Sequence, residues 1–379
     1  MKSILILCYG PLHRDPRVLR QIKWLKEDYT IYTAGYTNSE IDGINYIPLS
    51  KCYPGLFSKI VRALLLFLGL YKIAYWNTIR KIQLTTLNNK KYDLIVANDI
   101  DALPICDKIS SNQKIPFIFD AHEYYPDFAQ KKTLTTWLQK REVIYQCNRY
   151  LKRASAVTTV ASGIAQLYEQ NFSVPAILIR NSSPYTDIKG SIVDPENIQL
   201  VHHGGTMPGR QLEKMIDIVA ILGKRYSLHF YLVAPQELKW YEKKIINYAK
   251  STKANVYFHR PVKTNQIIKE INKYDIGLFL LPPTNTNYKL ALPNKFFEFV
   301  QAKLALAIGP SEEMANIVTQ YDLGVVSNTF TAKSLAEELE KLSLHDIVKY
   351  KNNCIESSKE LSAGKDEVKF LEVIKKSLA

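Results

Sequence analysis

Cysteine is scarce, and no two cysteines are spaced as a pair. Cys8, Cys52, Cys106, Cys147 and Cys354 are scattered over 379 residues without a CxxC. That excludes a zinc knuckle or a disulfide framework as the organising device and fits reduced thiols in the cytosol. Long hydrophobic runs are also missing. The apolar stretch Ala63 to Tyr71 is far short of the ~20 residues that a spanning helix needs. The N-terminal MKSILILCYG has a short apolar run and no small-residue cleavage site, so it reads as a first β-strand rather than a signal peptide. The loop after that run holds one glycine, Gly10, so the GxGxxG dinucleotide fingerprint is absent. No repeat of about 20–50 residues and no low-complexity tract is present. Nor is there an aromatic-plus-basic stacking motif, which argues against nucleic acid as a partner.

What the chain does have is positive charge. Fifty Lys and Arg against 36 Asp and Glu give a net charge of +14 and a pI near 9.3. An anionic partner follows, with sugar nucleotides and anionic lipid headgroups as candidates. Hydrophobic content of 46% marks a globular chain, and its length suggests two domains.

Buried-type strands alternate with helical patterns throughout. Ser3–Cys8, Tyr29–Ala34, Ile44–Pro48, Tyr92–Ala97, Pro116–Phe119, Ala156–Val160 and Ala176–Ile179 read as strands of one parallel sheet. Ile198–His202, Leu228–Val233, Val256–His259, Ile276–Leu281, Ala305–Ile308 and Val325–Val326 read as a second. The fold class expected is α/β, with two Rossmann-like doubly wound domains facing a cleft. A polar stretch without periodicity near residues 184–197 marks the boundary between them.

Several stretches carry chemistry at strand ends. His122 follows a strand and sits beside Asp120 and Glu123; it is a polar group for a cleft, or a satisfied loop histidine. Asp99 and Asp101 form a DxD string, but an N-cap for the helix near Ala102 is the favoured reading over a metal ligand. His203 to Arg210 is a glycine-bearing loop before a helix, where Gly205 allows close approach and Arg210 can grip a diphosphate. In Leu292–Glu298, Pro293 suits a first helical turn, and Asn294, Lys295 and Glu298 share one face. Lys295 suits phosphate and Glu298 ribose hydroxyls; an ordinary amphipathic helix is the alternative. Residues 54–81 combine Leu, Phe, Tyr and Trp with Lys59, Arg62, Lys72, Arg80 and Lys81. They suit an anionic membrane interface, or a helix packed on the sheet with its lysines reaching to solvent.

In order and spacing these stretches resemble a GT-B glycosyltransferase of the retaining family 4 group. The resemblance rests on Asp15-Pro16-Arg17-Val18, Asp120-Ala121-His122-Glu123, His203-Gly204-Gly205 with Arg210, Tyr274-Asp275-Ile276-Gly277 and Leu292 to Glu298, and it covers nearly the whole chain. It departs in two places. Many members carry a second glutamate eight positions before the one matched by Glu298, where this chain has Leu290; and Thr206 stands near an expected arginine.

The resemblance implies a metal-independent hexosyltransferase that needs no cofactor. It would move a sugar from a UDP- or GDP-linked donor to a glycan or lipid-linked glycan, in bacterial-type surface polysaccharide synthesis; the net positive charge and residues 54–81 add the expectation of an acceptor at the inner face of the cell membrane. It implies residues 1–184 as acceptor domain, 185–360 as donor domain and 361–379 as a helix packing back on the first. His122 and Glu298 would be catalytic. Gly10, Gly205, Arg210, Asn294, Lys295 and Glu298 would bind the donor. An epimerase or hydrolase of nucleotide sugars, or a non-catalytic relative, are the alternatives.

Overall fold

The computed structural model describes residues 1–53, 55–127 and 133–379. The chain forms two compact units, Met1–Ile179 with Glu367–Ala379, and Arg180–Asp366. The first unit holds seven strands: β1 (Ser3–Cys8), β2 (Thr30–Gly35), β3 (Asn45–Pro48), β4 (Leu94–Asn98), β5 (Phe117–Ala121), β6 (Ala156–Thr159) and β7 (Ala176–Leu178). They run parallel in the order β3-β2-β1-β4-β5-β6-β7. The second unit holds β8 (Ile198–Gly205), β9 (Tyr226–Val233), β10 (Val256–His259), β11 (Ile276–Phe279), β12 (Ala305–Ile308) and β13 (Gly324–Val326). Their order is β10-β9-β8-β11-β12-β13, again all parallel. Each order reverses once, between β1 and β4 and between β8 and β11. In open parallel sheets ligands bind outside the strand ends at such reversals.

The strand sequences explain the layers. β1, β4 and β5 are buried along almost their whole length, as a sheet covered on both faces requires. The helix Pro16–Leu25 begins where Asp15 accepts hydrogen bonds from the Arg17 and Val18 amides at 3.0 and 3.1 Å, with proline in the first turn. Its Val18, Ile22 and Leu25 pack with Ile4 and Ile6. Phe370, Val373 and Ile374 of the C-terminal segment belong to that same core.

The units divide at different residues from those expected. Arg180 rather than Tyr185 opens the second unit, because its amide and the Ser182 hydroxyl bond the Asp366 carboxylate at 2.9 and 2.8 Å. Asp366 in turn closes the unit six residues past 360. β8 also runs on through Gly205, so the loop expected from His203 begins only at Thr206. β11 ends at Phe279, two residues before Leu281.

Residues 54–81 resolve into separate elements: helices Leu56–Phe67 and Tyr71–Tyr75, then the start of Thr78–Asn88. Pro54 lies outside the described residues. In the first helix only Leu66 is buried, while Leu56, Phe57, Leu64 and Phe67 are 76%, 80%, 58% and 58% exposed. The helix packs not on the sheet but on the helix Leu134–Tyr150, with Leu66 against Leu138, and leaves most of its apolar side chains exposed. Two of the cations of residues 54–81 that were expected at the surface are used internally. Arg62 pairs with buried Glu142, and Arg80 lies 3.5 Å from the Tyr9 ring centroid and 4.5 Å from that of Tyr75. Lys59, Lys72 and Lys81 remain exposed. Among the described residues no helix is long and apolar enough to cross a membrane.

Candidate functional site

In the second unit, Gly205, Arg210, Asn294, Lys295 and Glu298 all line one cavity of about 280 Å³. It lies at the reversal between β8 and β11. β8 delivers His203, Gly204 and Gly205 to it. The helix Asn294–Gln301 delivers the rest, with Pro293 as its N-cap rather than its first helical residue. This helix sits close on β11 because Gly277 has no side chain: a Cβ there would lie 2.4 Å from the Phe299 ring. Tyr231, Val233, Pro261 and Ile267 complete an apolar flank.

The cations are held without a full complement of carboxylates. Lys295 is 6% exposed, and its Nζ lies 3.2 Å from His202 Nε2 and 4.5 Å from the Phe279 ring centroid. Burial first, and the Arg210 charge second, hold its amine well below the ordinary lysine range, with Glu298 opposing. Arg210 folds back to donate to the Gly205 carbonyl at 2.8 Å. His203 Nε2 lies 3.3 Å from Glu298 Oε2, off hydrogen-bond geometry, and its ring meets Phe299 edge-on. Burial and the Lys295 charge keep His203 well below its usual pKa, hence neutral. Thr206 is fully buried and its hydroxyl has no hydrogen-bond partner. A buried lysine, the half-buried Arg210 guanidinium, a neutral imidazole, a spare hydroxyl and a helix N-terminus together suit an anion.

Gly204 is required for this arrangement. Its φ is +113°, and a Cβ would lie 3.3 Å from Lys295 Nζ and 3.8 Å from Arg210 Nη1. Gly204→Ala is expected to cost about 1–2 kcal/mol of stability, read as a lowered Tm.

In the first unit, Gly10 follows β1 and His122 follows β5; neither lines the cavity above. His122 Nε2 lies 3.1 Å from Asn98 Oδ1, and Nδ1 lies 3.3 Å from Asp99 Oδ1. Asp120 is fully buried beside it and takes the Arg17 guanidinium in two bonds of 2.5 Å, plus a Gln21 amide at 2.6 Å. Burial would raise the Asp120 carboxyl, but Arg17 and then His122 hold it well below the usual carboxylate range. Burial would likewise lower His122, yet Asp99 and Asp120 raise it to about 9.

Because the folded pKa of His122 lies above its unfolded value, the stability it contributes is fully present below about pH 6.5. It is lost as pH rises through about 9. Thermal melts should show a fall of up to about 3 kcal/mol over that window. His122→Phe should flatten it.

The N-cap reading of Asp99 does not hold. Asp99 takes φ +66° and its side chain makes no cap hydrogen bond. Its carboxylate accepts from the Tyr125 hydroxyl and faces His122 and Cys8 instead. Asp101 does not join it; the metal-capable group among the described residues is Cys8, Asp15 and Asp99, with ligand atoms within 4.8 Å of one another. Burial and the Asp99 charge raise the Cys8 thiol far above its usual value, so it is protonated and a poor ligand. All five cysteines are free and buried.

His202, Gln21, Asn98 and Tyr125 escaped the sequence reading. Only the unusual His202-His203 doublet before two glycines was a usable signal.

No family model matches the chain, and no curated protein does. Solved structures do. Anabaena Alr3699/HepE, crystallised with UDP and glucose, matches 99% of this chain and 100% of its own at a TM-score of 0.73 and 12% identity. A glycosyltransferase from Rickettsia africae matches 100% and 98% at 0.71 and 12% identity. The alpha,alpha-trehalose 6-phosphate synthase of Burkholderia multivorans matches 99% and 96% at 0.69 and 10% identity. At such identities the likeness establishes the fold: α/β, of GT-B type.

Proposed function

We propose that the chain is a retaining, metal-independent glycosyltransferase of the family 4 type that takes a sugar from a UDP- or GDP-linked donor. The observation that carries this reading is the anion-accepting cavity of the second unit, where Lys295, Arg210 and the helix N-terminus at Asn294 converge on the Gly204–Gly205 strand end. A nucleotide-sugar donor carries a diphosphate whose charge grows as the glycosidic bond breaks. Cations and N–H dipoles fixed in a water-poor cavity stabilise that charge without a metal. Glu298 is assigned to the ribose hydroxyls and His122 to the transferring sugar. HepE was crystallised with UDP and glucose, which favours UDP as the donor nucleotide.

The acceptor is assigned to a lipid-linked glycan at the inner membrane face, in surface polysaccharide synthesis. The exposed apolar face of Leu56–Phe67 with Lys59, Lys72 and Lys81 supports it. The wild type should float with anionic vesicles at low salt. Phe57→Glu with Leu64→Glu should cut binding at least about a hundredfold without lowering Tm.

The test of function is incubation with UDP- and GDP-sugars, with and without a membrane extract as acceptor source. Acceptor-dependent release of nucleoside diphosphate, with label appearing in lipid-linked product, supports transfer, and an anomeric configuration in that product equal to the donor's supports retention. Acceptor-independent release points to a hydrolase, and a changed donor sugar to an epimerase. No turnover with any donor points to a non-catalytic protein.

A further inference from the structure

The donor cavity contains a device for which the transfer reaction itself gives no reason. Lys295 is buried, yet no carboxylate pairs with its Nζ within salt-bridge distance among the described residues; its close polar neighbour is a histidine. That histidine has a fixed tautomer. His202 is fully buried, and its Nδ1 lies 2.9 Å from the Leu278 carbonyl, which can only accept. Nδ1 therefore carries the proton, and Nε2 offers its lone pair to the lysine at 3.2 Å. The ring is fixed by Phe279, stacked at 5.7 Å, and by Phe230, edge-on at 5.8 Å. The other charged or titratable groups facing Lys295 are Arg210, Glu298 and His203. Arg210 repels a second positive charge, and Glu298 is the single acid opposing it.

A carboxylate in the place of His202 would hold the lysine as firmly, but would cancel the charge that a diphosphate needs. A neutral acceptor positions the amine and leaves its field open. Resting on the donor reading above, we infer that His202 is a positioning residue which aims the Lys295 amine into the cavity, and that entry of a nucleoside diphosphate draws a proton from solvent onto that amine. The step balances simply: one solvent proton adds to the neutral amine, and the new ammonium pairs with the incoming phosphate. Burial without a paired carboxylate, beside the Arg210 charge, disfavours the charged amine in the empty cavity, and this supplies the reason for uptake on binding.

The test is calorimetric titration of the whole protein with UDP and with GDP at about pH 8.5, where the free nucleotide's own phosphates are fully ionised. Buffers of different ionisation enthalpy report the protons exchanged. Uptake of about one proton per nucleotide is expected for the wild type, falling to near zero in Lys295→Met. His202→Leu should raise Kd about tenfold or more, and His202→Gln, which restores an acceptor, should stay within about threefold of wild type. A purely structural histidine would move Tm in both variants without separating their affinities. Tight binding with no proton uptake, or equal affinity of the Leu variant and the wild type, overturns the inference and leaves the donor reading standing. Failure of the wild type to bind either nucleotide overturns both.

Discussion

Lys295→Met is expected to lower kcat/KM for sugar transfer by about 10²–10³-fold. The side chain is the most deeply buried basic group of the cavity, enclosed by His202, Phe279 and the Gly204 end of β8. Water has little room to replace it, so its loss leaves the developing charge with Arg210 and the helix amides alone. The effect should fall on kcat as well as KM, because leaving-group charge is larger in the transition state than in bound donor. Met keeps the volume and the contact with Phe279, so Tm should hold or rise as a buried polar amine without a carboxylate partner is removed. Steady-state kinetics with saturating acceptor separates the two parameters; a rise in KM with unchanged kcat would assign the lysine to binding only.

The second large effect concerns stability and lies in the other unit. Arg17→Met should cost about 3–5 kcal/mol, because it takes the bidentate guanidinium from the Asp120 carboxylate in the fully buried end of β5 and leaves it His122, the Gln21 amide and the Thr158 hydroxyl. Arg17 also donates to the Ile179 carbonyl at 2.8 Å, so the last residues of the first unit loosen with it. The pH dependence adds a signature. In the wild type the depressed Asp120 pKa contributes stability that is full above the unfolded value near 4 and lost as pH falls below it. In the variant only His122 is left to hold the carboxyl down, so the loss on acidification should be smaller than in the wild type. Denaturant titrations across acid pH read this directly. Asp120→Asn with Arg17→Met should recover part of the loss, since neither charge is then stranded.

Much of this architecture is legible in the chain because burial on both faces of a parallel sheet writes continuous apolar runs. Ser3–Cys8 and Ala305–Ile308 emerge at their expected bounds for that reason. The cavity helix was legible too, since Lys295 and Glu298 fall on one face by spacing alone. What spacing cannot carry is the meeting of distant residues. Arg17 and Asp120 stood in two separate stretches of the resemblance, 103 residues apart, and only the fold makes them one ion pair. Arg62 and Arg80 read as surface cations in sequence, but Glu142, Tyr9 and Tyr75 take them inside. Asp99 read as a helix cap because aspartate often is one; a positive φ aims it at Tyr125 and His122 instead. His202 escaped because a histidine inside a buried strand has no pattern that distinguishes it from packing.

The most direct measurement is a structure of the protein determined with UDP or GDP bound. The expected result places the diphosphate between Lys295 Nζ, the Arg210 guanidinium and the Gly204–Gly205 strand end, with the ribose hydroxyls on Glu298. Nucleotide bound elsewhere on the chain, or a cavity left empty at saturating nucleotide, would contradict the assignment of this cavity to the donor.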